Sequence, residues 1–192
     1  MPDRKLGYDQ CRMEITKSSF WGVAASAVLA VPAATAEVTA VGANGFEVRE
    51  QVHVAATADA VYAALLSPKR WWDSKHTYSG DAQNLTLDAR AGGCWCETLP
   101  GGGSVEHLSI AYLAPGKVIR FRGALGPLQA MGVTGSMTVK LATAGSGTDL
   151  TLTYVVGGYY KEGFDDLAKG VDGVLASQVG RLRKLVETGS PM

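Results

Sequence analysis

Residues 147–187 read GTDLTLTYVVGGYYKEGFDDLAKGVDGVLASQVGRLRKLVE, and the fold turns on a change of period inside them. Thr148 to Val156 reads as a strand. From Phe164 onward the spacing becomes three and four, through Leu167, Val171, Val174, Leu175, Gln178, Val179, Leu182, Leu185 and Val186. That spacing predicts a long amphipathic helix over 164–187. Arg181, Arg183 and Lys184 lie towards its carboxyl end, where the helix dipole favours cations, and Gly189 and Pro191 follow as stop signals.

Upstream, the reading is almost entirely β. Phe46 to Val54 alternates and predicts a first strand with one buried face. Thr57 is placed as a helix cap before Ala58 to Leu66, and Pro68 suits the first turn of a second short helix carrying Trp71 and Trp72. Strands are then predicted at 85–88, 94–99, 105–113, 118–123, 133–141 and 148–156, separated by Gly- and Pro-rich turns. The expected architecture is α+β: a curled seven-stranded antiparallel sheet wrapped on the long C-terminal helix, with two short helices after strand one. Such a sheet must bury one face, and the terminal helix is the large element available to cover it. A gap between the two would suit a small apolar ligand.

The first 36 residues read differently. Arg4, Lys5, Arg12 and Lys17 precede the uncharged stretch Ser18 to Ala36, which ends in Ala34-Thr35-Ala36. A basic start, an apolar middle and an A-x-A end predict a signal peptide cleaved after Ala36, and hence a periplasmic or secreted protein. A membrane anchor is the competing reading; the stretch is Ala-rich and holds Pro32, and an anchor needs about 20 strongly apolar residues. Met13 is an alternative start. Residues 37–45 are expected as a linker, 46–187 as the domain and 188–192 as a tail.

The whole chain of 192 residues carries 18 basic and 18 acidic side chains, and 46% of it is hydrophobic. Removing the four basic and three acidic residues of the leader leaves 14 against 15. Near-neutrality argues against a nucleic-acid partner, which needs a basic patch. With the leader gone no stable membrane span is expected. Three cysteines are too few for a disulfide scaffold.

Cys94-Trp95-Cys96 is the most unusual local feature. On a flat strand both thiols share a face, with Cα atoms about 6.6 Å apart at about 3.3 Å per residue. Buried packing, a strained redox-active disulfide and a metal site are the readings open to them. The pairing of the 94–99 and 105–113 strands matters here. Setting Thr98 opposite Glu106 puts Glu97 opposite His107 and turns the thiols inward with Leu108 and Ile110. Setting Glu97 opposite Glu106 puts Cys96 opposite His107 but faces two carboxylates. The first is favoured, which leaves a metal without its imidazole. A Glu97–His107 pair is the candidate acid/base device, set against an ordinary surface ion pair. No cofactor or metal is expected, and no serine-hydrolase, zincin, Walker or dinucleotide motif is present.

The element order, together with AATADAVYAALLSPKRWW (55–72), AGGCWCETLPGGG (91–103), VEHLSIAYLAPGKVIRF (105–121) and GTDLTLTY (147–154), resembles the START-like or SRPBCC superfamily. That superfamily holds polyketide cyclases, lipid-transfer domains, the major birch pollen allergen and the ATPase-activator domain of heat-shock co-chaperones. The resemblance covers about residues 46–187. It implies a helix-grip fold with a hydrophobic cavity and supplies no fixed catalytic set. Ligand contact is expected from the aromatic residues Trp71, Trp72, Tyr78, Trp95, Tyr112, Tyr159 and Tyr160; Trp71 and Trp72 are not both expected to face inward. Three functions are carried forward: binding of a small hydrophobic molecule, a cyclase- or dehydratase-type enzyme, and a protein-interaction module like the co-chaperone domain.

Overall fold

The computed structural model describes residues 35–192. Of the predicted signal peptide, residues 1–34 lie outside these residues, whereas Thr35 and Ala36, at its expected cleavage site, open the first strand opposite Gln51 and Glu50. The order is β1 (Thr35–Gly42), β2 (Gly45–Val54), α1 (Ala58–Leu65), β3 (Leu85–Leu87), β4 (Cys94–Thr98), β5 (Ser104–Ala114), β6 (Val118–Gly123), β7 (Gly132–Ala144), β8 (Gly147–Tyr159) and α2 (Asp165–Thr188). All strands join one antiparallel sheet in the order β1-β2-β8-β7-β6-β5-β4-β3.

The sheet has eight strands rather than seven. The segment expected as a linker, 37–45, holds most of β1 and the turn into β2. Seven of the eight β1 residues are exposed and only Val38 is half-buried. An edge strand that buries almost no side chain carries no alternating pattern, so period-two reading passes over it.

After β2 comes one α-helix rather than two. Thr57 does cap α1, its Oγ1 accepting the Ala60 N–H at 3.3 Å. Pro68 opens only a three-residue 3₁₀ turn, Pro68–Arg70. Further 3₁₀ turns follow at Ser74–His76 and Ala82–Asn84. The backbone leaves helical geometry at Trp71 (φ −131°, ψ −24°). Consecutive side chains therefore need not diverge by a helical step, and Trp71 and Trp72 are both buried, ring centroids 5.4 Å apart.

The inner face of the sheet carries Phe46, Val48, Val52 and Val54 from β2 and Leu150, Leu152, Tyr154 and Val156 from β8. Helix α2 closes over it with Ala168, Leu175, Val179, Leu182 and Leu185 buried. Gly189 ends α2 at φ 81°, a left-handed cap that favours glycine. Gly135 on β7 lies over Tyr154: a Cβ there would sit 2.6 Å from Tyr154 Cε2. That clearance lets Tyr154 lie flat in the core. Its hydroxyl donates to the Gly123 carbonyl at 3.0 Å and accepts the Leu125 N–H at 3.1 Å, fixing the loop after β6. Burial pushes the Tyr154 phenol up to about 12.

Candidate functional site

The site begins at a break in the β4–β5 register. Thr98 pairs with Ser104, Glu97 with Val105 and Cys96 with Glu106, and then Trp95 pairs with Leu108. His107 is the extra residue of the bulge. The favoured register is not realised, and the alternative holds only on one side of the bulge, where Trp95 faces Leu108 and Cys94 faces Ser109, because both assumed continuous pairing. The Glu97–His107 contact forms all the same: the bulge sends His107 inward beside Glu97, Nε2 to Oε2 2.8 Å.

The pair lies in the interior, with Glu97 1% and His107 5% exposed. It is thus not a surface ion pair. Glu97 Oε2 also accepts the Tyr78 N–H at 3.1 Å, and Oε1 accepts the Ser79 N–H. Burial pushes the carboxyl up, but the hydrogen bonds from Ser79, Tyr78 and His107 outweigh it and hold it below its ordinary value. The loop after the tryptophans is thereby tied to β4.

With Trp95 and Glu97 buried, the thiols of the same strand take the other face. Cys94 and Cys96 are half-buried and bonded to each other, Cα atoms 5.3 Å apart, and the inward orientation expected for them does not hold. The contraction below the flat-strand spacing coincides with the register break. Among the described residues no group of three or more His, Cys, Asp and Glu side chains could hold a metal.

An open cavity of about 490 Å³ reaches His107. One wall is Trp72 to Tyr78, a second is Leu125 to Leu128, and the third is the α2 face of Leu167, Val171 and Val174. Tyr78 bridges two walls: its hydroxyl donates to the Gly126 carbonyl at 2.9 Å and its ring lies 5.9 Å from that of His107. Lys75, His76, Tyr78 and Asp166 are the exposed titratable side chains on the lining.

Deeper, between sheet and helix, the gap narrows to about 20 Å³. Trp71, Trp72 and Trp95 fill it, with Trp72 and Trp95 edge to face at 5.0 Å and Trp95 against Phe121 at 5.8 Å. Space for a ligand therefore lies at the mouth of the grip rather than along the centre of the sheet.

Of the aromatic residues expected at a ligand, the fold brings Trp72 and Tyr78 to the open cavity and Trp71, Trp72 and Trp95 to the inner void. Tyr112, Tyr159 and Tyr160 line neither. Tyr112 is exposed on the outer face, with the Arg120 guanidinium 5.9 Å from its ring centre. Tyr159 is 75% exposed, and Tyr160 donates its hydroxyl to Glu162.

Two further polar residues are buried, Gln178, which sequence places on the helix stripe without a role, and Glu50, which it passes over. Gln178 sits within the apolar stripe of α2, which was the available signal; its Oε1 accepts the Asp73 N–H at 2.8 Å. Glu50 shares the inward phase of Val48 and Val52. Its carboxyl is pushed up to about 8, first by burial and then by the nearby Asp172 carboxylate. Glu50 also borders a second cavity of about 480 Å³ on the other flank of α2, with Val52, Val179, Arg183 and Glu187.

An antiparallel sheet closed by one long C-terminal helix, with short turns after the first inner strand, defines a helix-grip protein of the SRPBCC class. The chain belongs to the polyketide cyclase / dehydrase and lipid transport family, which matches residues 45–187. Solved structures agree on the fold. An uncharacterized protein from Rhizobium leguminosarum is similar at 20% identity and TM-score 0.57, covering 81% of this chain and 99% of that one. The Aha1 dimer from Colwellia psychrerythraea is similar at 18% identity and TM-score 0.51, covering 74% and 97%. CalU16 from Micromonospora echinospora is similar at 15% and 0.50, covering 84% and 88%. Comparison with curated protein sequences finds no match.

Proposed function

We propose that this chain binds a small hydrophobic molecule in the cavity at the mouth of the grip. The observation that carries the reading is a buried, anchored Glu97–His107 pair reaching an otherwise largely apolar cavity of about 490 Å³. Apolar contacts with Leu125, Leu167, Val171 and Val174 supply affinity, at roughly 25 cal/mol per Å² removed from water. His107 orients the polar end of the ligand. Titration of the purified protein with N-phenyl-1-naphthylamine tests this. Saturable one-to-one binding that Val174→Trp abolishes is expected; an absence of saturable binding by the folded protein overturns the reading.

The same pair favours a second reading, acid/base chemistry of the cyclase or dehydratase type. An ionised Glu97 accepts the Nε2 proton and fixes the tautomer, so that Nδ1 presents a lone pair. Glu97 then orients and His107 abstracts or returns the proton. Turnover of an enolisable apolar ketone that falls at least about 100-fold in His107→Gln, with binding retained, is the corresponding test.

Export completes the proposal. It is supported by the basic start, the apolar stretch and Ala34-Thr35-Ala36. Among the described residues no helix is long and apolar enough to cross a membrane. An intact-mass measurement on protein from the producing cell, showing a chain that starts at Glu37, is the expected result.

A further inference from the structure

Cys94 and Cys96 are bonded across a single residue, and their strand is already fixed on both sides. Thr86 of β3 pairs with Cys96, and Ser109 of β5 pairs with Cys94. In the chain-entropy account a disulfide stabilises by closing a loop of the unfolded chain, and its effect grows with the length of that loop. A loop this short constrains little that the strand ladder does not already hold, so the bond adds little to the fold. It is also reachable. Both residues are half-buried on the outer face of the sheet, and neither of the cavities beside α2 is lined by them.

The surroundings of the two sulfurs differ. Cys94 stands in a cross-strand row with Ser109 of β5 and Arg122 of β6. The Arg122 Nε donates to the Ser109 Oγ at 3.1 Å. Ser109 is 9% exposed, and among the described residues its own hydroxyl hydrogen has no acceptor. A disulfide sulfur accepts weakly, whereas a thiolate accepts strongly because it is charged. Once the bond opens, a thiolate on Cys94 is the cross-strand neighbour of that hydroxyl, with the guanidinium behind it. Cys96 has the opposite neighbour, the exposed Glu106 carboxylate, which disfavours a second negative charge.

We propose that Cys94–Cys96 is a thiol–disulfide exchange site that oxidises a pair of cysteine thiols in another polypeptide. An open sheet face suits a chain that comes to the surface rather than a small molecule that must be enclosed. A thiolate of the partner attacks Cys96 Sγ and forms a mixed disulfide. The Cys94–Cys96 bond breaks, and its electron pair leaves on Cys94 Sγ, the sulfur placed to carry it. The partner's second thiolate then attacks its own sulfur in the mixed disulfide, and Cys96 leaves with that electron pair. Two electrons and two protons pass from the partner's thiols to Cys94 and Cys96, and the partner departs with a disulfide. Ser109 and Arg122 are positioning residues that act through the Cys94 sulfur. The site lies on the other face of the sheet from the ligand cavity and does not depend on it.

The test uses the full chain carrying Cys11→Ser, so that Cys94 and Cys96 are its only cysteines, and a short synthetic peptide with two reduced cysteines. One equivalent of oxidised protein is expected to convert one equivalent of peptide to its disulfide, at least about tenfold faster than the same concentration of oxidised glutathione. A mixed disulfide quenched with acid is expected at Cys96. Arg122→Gln and Ser109→Ala, measured separately so that loss of fold in one leaves the other, are each expected to slow the exchange about threefold. Alkylation reads the same effect without a partner. At neutral pH the Cys94 thiol left in Cys96→Ser should react with iodoacetamide about threefold faster than the Cys96 thiol left in Cys94→Ser, and Arg122→Gln should remove the difference. Exchange no faster than that of oxidised glutathione overturns the proposal and leaves the bond as a structural link. A mixed disulfide at Cys94, or rates unmoved in both variants, overturns the roles assigned to the two sulfurs.

Discussion

His107 Nε2 lies 2.8 Å from Glu97 Oε2, and the contact exists because His107 is the extra residue where the β4–β5 pairing changes register. A regular hairpin would seat each side chain opposite a cross-strand partner. The bulge instead re-aims an imidazole into the interior, beside a carboxylate already held by two backbone N–H groups. Structure and chemistry are joined at this point, since Glu97 also anchors the loop that forms one wall of the cavity.

Removing Glu97 is therefore expected to be costly. Glu97→Ala leaves the N–H groups of Tyr78 and Ser79 and the His107 ring without an acceptor in the interior. A loss of about 3–5 kcal/mol is expected in urea unfolding. Glu97→Gln should cost less, because its carbonyl oxygen still accepts. The pH dependence has a definite sign. A carboxyl held below its ordinary value of 4.5 when folded contributes fully above that pH, and the contribution is lost as pH falls through the folded value. Wild-type stability should thus fall in acid below about pH 4.5, and Glu97→Gln should lack that part of the fall. Parallel acid profiles for the two proteins would contradict the assignment.

Glu50 predicts the opposite trend. Its pKa rises from 4.5 to about 8 on folding, so between these values the unfolded chain has released a proton that the folded chain retains. Stability should decline with rising pH across that window, by at most about 1.4 kcal/mol per pH unit, and level off above it. Glu50→Gln removes the titration and should flatten the slope. Thermal unfolding from pH 5 to pH 9 measures it; a wild-type slope unchanged in the variant counts against a buried, protonated Glu50.

Most of the fold was legible because burial writes a period into the sequence. Phe46 to Val54, Thr148 to Val156 and the stripe from Phe164 to Glu187 each announce their element, and α2 lies within one residue of its expected bounds. What escaped has little periodic signal. β1 is an edge strand that buries only part of one side chain, Val38, and Pro68 could start a helix that Trp71 and Trp72, both drawn into the core, do not continue. The site was half legible. Glu97 and His107 were brought together on residue type and approximate register, yet their burial and the outward turn of the thiols depend on a one-residue bulge. A bulge reverses which face a side chain occupies, and no local propensity marks it here. Gln178 is legible in the helix stripe, and Glu50 could have been found in the same way, as a polar residue in apolar phase.

The thiols give a prediction that also reads the leader. The Cα separation of 5.3 Å lies within the usual disulfide range of about 4.4–6.8 Å, so Cys94 and Cys96 should resist alkylation until reduced. A chain beginning at Glu37 should show no reactive thiol before reduction and two after. A chain retaining Cys11 should show one before and three after. Mass shifts with iodoacetamide separate the cases, and alkylation of both Cys94 and Cys96 without reductant would contradict the bond.

Two tyrosines hold the Leu125–Leu128 wall of the cavity and should respond differently to loss of a single hydroxyl. Tyr154 is fully buried and serves both the Gly123 carbonyl and the Leu125 N–H. Tyr154→Phe strands both groups and should cost about 1–3 kcal/mol, seen as a lower Tm. Tyr78 is half-exposed and serves only the Gly126 carbonyl, which water can reach when the phenol is gone. Tyr78→Phe should leave stability within about 0.5 kcal/mol. It nevertheless releases the bridge between two cavity walls, so N-phenyl-1-naphthylamine should dissociate faster from Tyr78→Phe at unchanged Tm. A variant that lowers Tm and leaves the off-rate alone would place Tyr78 in the scaffold rather than at the ligand. The contrast separates a hydroxyl that holds the fold from one that holds the cavity shut, which a stability measurement on either variant alone could not do.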